Sequence, residues 1–264
     1  MTPAARTRVL VGELWIDALT FAQALDEIER LVAAGRGGAV FTPNVDHVVN
    51  AERDAGLRAA YGRADLSLVD GQPVVWAARL LGTPVPEKIS GSDLVPPLLE
   101  RAAARGWRVA LVGGAEGVAQ KAAAAIPNVQ VVLAEGPRVG VEPRDDEPVL
   151  IERIRAARPD LVLVGLGAPK QERLIDRAGP RLAPAVCVAV GASLDFLAGT
   201  ARRAPRWMSR AGLEWIYRLA QEPRRLAVRY LWNDPRFALI VLRSRLTPRA
   251  ARTRQFPQAA DAQP

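Results

Sequence analysis

TPNVDHVVNAERDAGLRAAYGRADLSLVDGQPVVWAARLLGTPVPEKISGSD, residues 42–93, is the stretch around which the rest of the chain is organised. Three times an apolar run gives way to small, polar, turn-forming residues: Thr42-Pro43-Asn44, Asp70-Gly71 and Ser90-Gly91-Ser92-Asp93. In α/β folds ligands bind where strands end and helices begin. An acid beside a glycine at such a point is placed for chemistry rather than for packing.

On either side of this stretch the same grammar repeats. Short strands are predicted at 9–11, 39–42 and 66–69, and then at 108–112, 129–133, 161–166 and 185–190. Between them lie helical patterns. Thr20 caps one running to about residue 34, with Phe21, Leu25, Ile28, Leu31 and Val32 at helical spacing. Another starts at Ser92 or Asp93, with Pro96 and Pro97 in its first turn. Apolar strands without alternation, separated by amphipathic helices, imply a Rossmann-like α/β fold. Its mostly parallel sheet is buried on both faces and flanked by helices. The expected organisation is a core over 1–200, divided at about 105, followed by a small helical C-terminal appendage over 201–246 and a disordered tail over 247–264.

Composition narrows the classes. The 264 residues suffice for one large α/β domain with an appendage, and 49% apolar content excludes a disordered chain. No apolar run is long enough to span a bilayer, and the first residues are too poor in apolar side chains for a signal peptide. One cysteine, Cys187, excludes an internal disulfide, fits a reducing cytoplasm and reads as a buried strand thiol. The net charge of +8 is concentrated: residues 201–254 carry 14 Arg against Glu214, Glu222 and Asp234, while the remainder has 22 basic against 25 acidic residues. One end of the molecule is therefore expected to meet an anionic partner.

Several groups could carry chemistry. Asp70 is the expected general base, a carboxylate at a strand tip able to take a proton from a sugar or alcohol hydroxyl; the plainer reading makes it a helix cap. Thr42 and Asn44 could orient a polyol or simply form a turn around Pro43. Gly113-Gly114 before a helix outlines a phosphate-binding turn, although GGAEG is neither a dinucleotide fingerprint nor a Walker loop. Glu135 lies where a ribose-binding acid would sit if the ligand were a dinucleotide. Pro169, Lys170 and Gln171 open a helix after a fully apolar strand, and Asp195 repeats that position after the last one. His47, the single histidine, suggests a satisfied polar residue more than a site residue. With one His and one Cys, a zinc site has no support, and neither a divalent metal nor an organic cofactor is expected. In the appendage, arginines alternate with Trp207, Trp215, Tyr217, Tyr230 and Trp232. That mixture suits a lipid headgroup layer and also single-stranded nucleic acid.

The segments TPNVDH, ADLSLVDGQPVVWAARLLG, EKISGSDL, VALVGGAEGVA, RPDLVLVGLGAPKQE, VGASLDFLAG, RRAPRWM and GLEWIYRLAQEPRRLAVRYL, in that order over roughly residues 8–237, resemble the WecG/TagA/CpsF glycosyltransferases. This is the family of N-acetylmannosamine and N-acetylmannosaminuronic acid transferases. The resemblance implies transfer of a sugar from a UDP-sugar donor to a polyprenyl-diphosphate-linked sugar acceptor, with inversion, by a peripheral enzyme on the inner face of the cell membrane. By the same resemblance Asp70 matches the proposed base, with Thr42 and Asn44 in the substrate pocket. Gln171 matches a polar donor-site residue and Asp195 a residue near the uridine. Lys88 stands where many members carry arginine, which turns a bidentate diphosphate contact into a point charge. Arg218, Arg224 and Arg225 match the basic appendage that closes over the site, meets the lipid diphosphate and reaches an anionic membrane surface. No nucleic acid is expected; self-association is possible. Two other classes stay open on the residues alone: a nicotinamide-dependent oxidoreductase built on Gly113 and Glu135, and a nucleic-acid-binding protein built on the tail.

Overall fold

The computed structural model describes residues 6–204 and 223–256, together with Met208, Tyr217 and Leu219; for 223–232 and 234 it describes the backbone alone. Trp207, Trp215 and Arg218 lie outside the described residues, as do the side chains of Arg224, Arg225, Tyr230 and Trp232.

Six strands form one parallel sheet: β3 (Gly38–Phe41), β4 (Leu66–Ser67), β5 (Arg108–Gly113), β6 (Gln130–Glu135), β7 (Leu161–Gly165) and β8 (Val186–Ala189). Their order across the sheet is β4-β3-β8-β7-β5-β6, and each neighbouring pair is parallel. Alternation is present in the packing although hydropathy hides it. Ala110, Val112, Val162, Val164, Cys187 and Ala189 enter one core, and Leu111, Leu161, Leu163, Val186 and Val188 the other. With both faces covered, the central strands β7 and β8 read LVLVG and VCVA, apolar or glycine throughout, as buried parallel strands do. Burial pushes the Cys187 thiol up to about 12, in keeping with a strand thiol that does no chemistry.

One layer of helices is α1 (Phe21–Ala34), α5 (Gly91–Arg105), α6 (Val118–Ala124) and the short α9 (Ser193–Leu197). The other is α2 (Val45–Ala51), α3 (Ala55–Arg63), α4 (Gln72–Leu80), α7 (Glu147–Ala156) and α8 (Lys170–Leu182). Thr20 caps α1 in a reciprocal box with Gln23, as its sequence position suggests. The cap of α5 is Ser90, earlier than expected: its Oγ accepts the Asp93 N–H at 3.2 Å. Pro96 and Pro97 consequently fall in the second turn. Pro96 has no N–H to give the carbonyl of Ser92, and that oxygen instead accepts Arg203 Nη1 at 3.2 Å.

The strand expected at 9–11 lies in β1 of a second, antiparallel sheet, ordered β2-β1-β9, and not in the parallel one. That sheet joins β1 (Arg6–Val11) and β2 (Leu14–Asp17) to β9 (Thr253–Phe256). The tail expected to be disordered from residue 247 thus contains α11 (Arg249–Arg252) and a strand paired to the N-terminus, while 257–264 lie outside the described residues. The reason is a set of contacts remote in sequence. Arg8 stacks on Phe256 at 4.7 Å and Arg254 on Trp15 at 5.0 Å. The hairpin is fixed to the main sheet by Asp17, fully buried, which accepts from Arg6 and Arg8 at 2.9 Å each and from the Ser67 N–H at 2.8 Å. Between the core and β9 runs α10 (Pro223–Arg245), whose Phe237, Ile240 and Val241 are buried in the same core as Val11 and Val48.

Candidate active site

A cavity of about 890 Å³ opens at the C-terminal ends of β3, β4, β5, β7 and β8. That is where a parallel α/β sheet presents its loops to ligands. Thr42, Asn44 and Asp70 line one wall; Gly114, Gln171 and Asp195 line another.

Backbone pairing puts Asp70 there. After β4 the hydrogen bonding to β3 continues without regular strand geometry: Leu68 N–H donates to Phe41 O and Asp70 N–H to Pro43 O, each at 2.8 Å. Asp70 is thereby tethered next to the Thr42-Pro43-Asn44 turn. Gly71, at φ +91°, turns the chain into α4. Thr42 is buried and its Oγ1 donates to Ala189 O at 3.2 Å, joining the ends of β3 and β8. Asn44 caps α2, its Oδ1 accepting the Asp46 N–H at 3.0 Å. Gln171, also buried, accepts the Gly191 N–H at 3.1 Å and donates to Glu172 Oε1 at 2.8 Å. Asp195 receives the Thr200 hydroxyl at 3.4 Å.

Other expected residues sit elsewhere. Lys88 is not on the cavity wall; its Nζ lies 3.0 Å from Asp93 Oδ2, beside Ser92, which is on the wall. Pro169 lines a separate hollow, with Arg53, Arg173 and Arg236. Gly114 lines the cavity, and its N–H is taken by Gly165 O at 2.8 Å. A Cβ on Gly113 would lie 2.3 Å from that same carbonyl, so these glycines let β5 and β7 approach. Glu135 faces Arg153 at 3.3 Å and is not among the cavity-lining residues, which removes the ribose acid from the dinucleotide reading.

Sequence reasoning passed over Asp46, Asn50, Arg138, Arg144 and Asn233, all on the cavity wall. Arg138 and Arg144 come from the Gly/Pro-rich loop before α7. Asn233, on α10, donates to Asp46 Oδ1 at 2.9 Å and so brings the C-terminal segment to the site. His47 was read as a satisfied polar residue. It is buried and hydrogen-bonded, and it also lines the cavity. Among the described residues no group of three or more His, Cys, Asp or Glu could hold a metal ion.

A parallel sheet with acid, amide, hydroxyl and guanidinium groups converging on one crevice at its strand ends is the architecture of an α/β enzyme. The family model described as "Glycosyl transferase WecG/TagA/CpsF family" matches residues 9–251, and the chain belongs to that family; it is a glycosyltransferase. Two similar proteins carry the name N-acetylglucosaminyldiphosphoundecaprenol N-acetyl-beta-D-mannosaminyltransferase. That of Bacillus spizizenii is 31% identical over 213 residues, 79% of this chain and 80% of the relative. That of Bacillus subtilis is 31% identical over 211 residues, 78% and 80% respectively. Among the described residues no helix is long and apolar enough to cross a membrane.

Proposed function

We propose that the enzyme transfers an N-acetylmannosamine-type sugar from a UDP-sugar to a sugar carried on polyprenyl diphosphate. One displacement with inversion accomplishes this, and Asp70 is the base. The acceptor hydroxyl attacks the anomeric carbon and its proton passes to the Asp70 carboxylate. The bond from that carbon to the UDP oxygen breaks, and the electron pair leaves on the diphosphate. The observation that carries this reading is the convergence of Asp70, Thr42 and Asn44 with Gln171 and Asp195 on one cavity. The names of the two relatives supply the sugar and the lipid diphosphate.

Charge on the departing UDP must be met as it develops. Arg138, Arg144 and Lys170 on the wall, and the N-terminal amides of α8, are groups of the right sign for a metal-independent reaction. Lys88 is ion-paired with Asp93 at the neighbouring α5 terminus. The lipid end of the acceptor would be met by the C-terminal segment. There Leu239, Leu242 and Leu246 are exposed on one side of α10 and just beyond it, close to Arg243, Arg245 and Arg249. Apolar side chains flanked by arginine suit a peripheral seat on an anionic inner leaflet.

The test is UDP release from a panel of UDP-sugars with a short-chain polyprenyl-diphosphate N-acetylglucosamine acceptor present and absent, with and without chelator. Acceptor-dependent release from UDP-N-acetylmannosamine that survives chelation is expected. Release from no UDP-sugar in the panel would remove the donor assignment.

A further inference from the structure

The hollow lined by Pro169, of about 690 Å³, opens beside the candidate active site, and Asn50 lines both. Its cations are Arg53 just past the end of α2, Arg173 on α8 and Arg236 on α10. Against them stand the exposed Glu142 and Asp54. Asp54 is already committed, accepting the Leu57 N–H and Arg173 Nη2 at 2.9 Å each. Arg173 is set in place by the backbone: a Cβ on Gly56 would occupy the position of its guanidinium. Its Nε has no hydrogen-bond partner among the described residues. Arg53 is exposed and Arg236 half-buried, so guanidinium charge reaches the hollow from three separate elements.

The two helices beside the hollow run in the same direction. Asn233 of α10 meets Asp46 of α2 at 2.9 Å near one end, and Arg243 meets Glu52 at 2.6 Å near the other. Helical residues three or four apart lie on one face and advance by about 5 Å. Asp46, Asn50 and Arg53 therefore lead along α2 from the cavity to the hollow. Along α10, Asn233 is on the cavity wall and Arg236 in the hollow, and the exposed Leu239 and Leu242 follow at the same spacing. Amide and acid groups suited to a sugar thus give way to guanidinium groups and then to leucine.

We infer that this hollow is a subsite for the diphosphate of the lipid-linked acceptor, held by Arg53, Arg173 and Arg236. Such an acceptor is a sugar, a diphosphate and an apolar chain joined in that order, which is the order met along α10. Arginine presents a planar fork of donors that matches phosphate oxygens in pairs. The diphosphate of the donor has its own cations, Arg138, Arg144 and Lys170, on the wall of the main cavity. The inference rests on the proposed acceptor class and not on the identity of the donor.

The test is calorimetric titration of the full-length protein with farnesyl diphosphate and, separately, with UDP. The wild type is expected to bind farnesyl diphosphate. The double variant Arg53→Gln/Arg236→Gln should bind it about tenfold more weakly, with UDP affinity changed by less than about twofold. If the double variant does not fold, Arg53→Gln alone changes an exposed side chain and should still weaken binding about threefold. In the UDP-release assay the acceptor KM should rise while kcat and the donor KM stay near wild type. No binding of farnesyl diphosphate by the wild type, or equal binding by wild type and variants, overturns the subsite. So does UDP affinity that falls in step, which would give the hollow to the donor. An active double variant with a normal acceptor KM would remove the subsite and leave the proposed reaction standing. The titrations involve no sugar transfer, so failure of the donor assignment leaves them intact.

Discussion

The cavity has two walls built on opposite principles. Over β3 and β4 the wall presents Thr42, Asn44 and Asp70: Thr42 bonds the end of β8, Asn44 caps α2, and the backbone N–H of Asp70 bonds Pro43 O. Over β5, β7 and β8 the strand ends are held together through glycine, and Lys170, Gln171 and Asp195 reach the cavity from the segments that follow. A Cβ on Gly113 would meet Gly165 O at 2.3 Å, one on Gly165 would meet Gly191 O at 2.8 Å, and one on Gly91 would meet Val190 O at 2.8 Å. Strand ends pressed together through glycine leave no room for side chains between them, so backbone lies beneath the polar groups that reach the cavity there. The difference separates chemistry from architecture, and the two should fail differently when mutated.

The largest effect is expected on the side-chain wall. Asp70→Asn keeps shape and removes the base, so kcat should fall by roughly 10²–10⁴ while donor affinity and melting temperature stay near wild type. Unchanged turnover would strip Asp70 of the role. On the glycine wall, Gly113→Ala combines a backbone at φ +137° with the clash against Gly165 and should cost about 3–5 kcal/mol of stability, read by urea unfolding. A stable Gly113→Ala protein would mean that β5 and β7 need not approach so closely. Gly71→Ala sits at the boundary between these cases. Its φ of +91° is strained for alanine, yet the nearest atom to its Cβ is Pro73 Cδ at 3.8 Å. Stability should drop by only about 1–2 kcal/mol, with a loss of turnover, since the residue that turns is next to Asp70.

The same division explains what the sequence disclosed. The six parallel strands were legible because burial on both faces leaves uninterrupted apolar runs such as Leu161 to Gly165. β9, with sequence TRQF, offers no such run; its place is set by pairing with β1 from the far end of the chain. Asp70, Thr42 and Asn44 were legible because they follow strands directly. Asp46, Asn50 and Asn233 were not, because they project from within helices and reach the cavity only once α2 and α10 have packed. The packing role of Gly113 was hidden for a related reason. A glycine at a strand end looks the same in sequence whether a phosphate or another strand comes close. Nor could spacing show that His47 has a carboxylate partner 125 residues away.

The smallest effect concerns Lys88, which supports the cavity rim from outside it. Burial pushes the Asp93 carboxyl up, but the Ser90 hydroxyl, the charge of Lys88 and the Arg203 contact outweigh it and hold the group below its usual value. A depressed carboxylate stabilises the folded state above its unfolded value of about 3.9, and that contribution disappears as pH falls through the folded value. Lys88→Met should therefore destabilise the protein by about 1 kcal/mol or less at pH 7, where the partly exposed pair is intact. The difference from wild type should shrink at acid pH, as Asp93 becomes protonated in both proteins. Urea midpoints at neutral and at acid pH measure it. A deficit of equal size at both would mean that Lys88 acts through packing of its aliphatic stem, whereas a large loss of turnover at pH 7 with little change in stability would move it from the rim to the substrate.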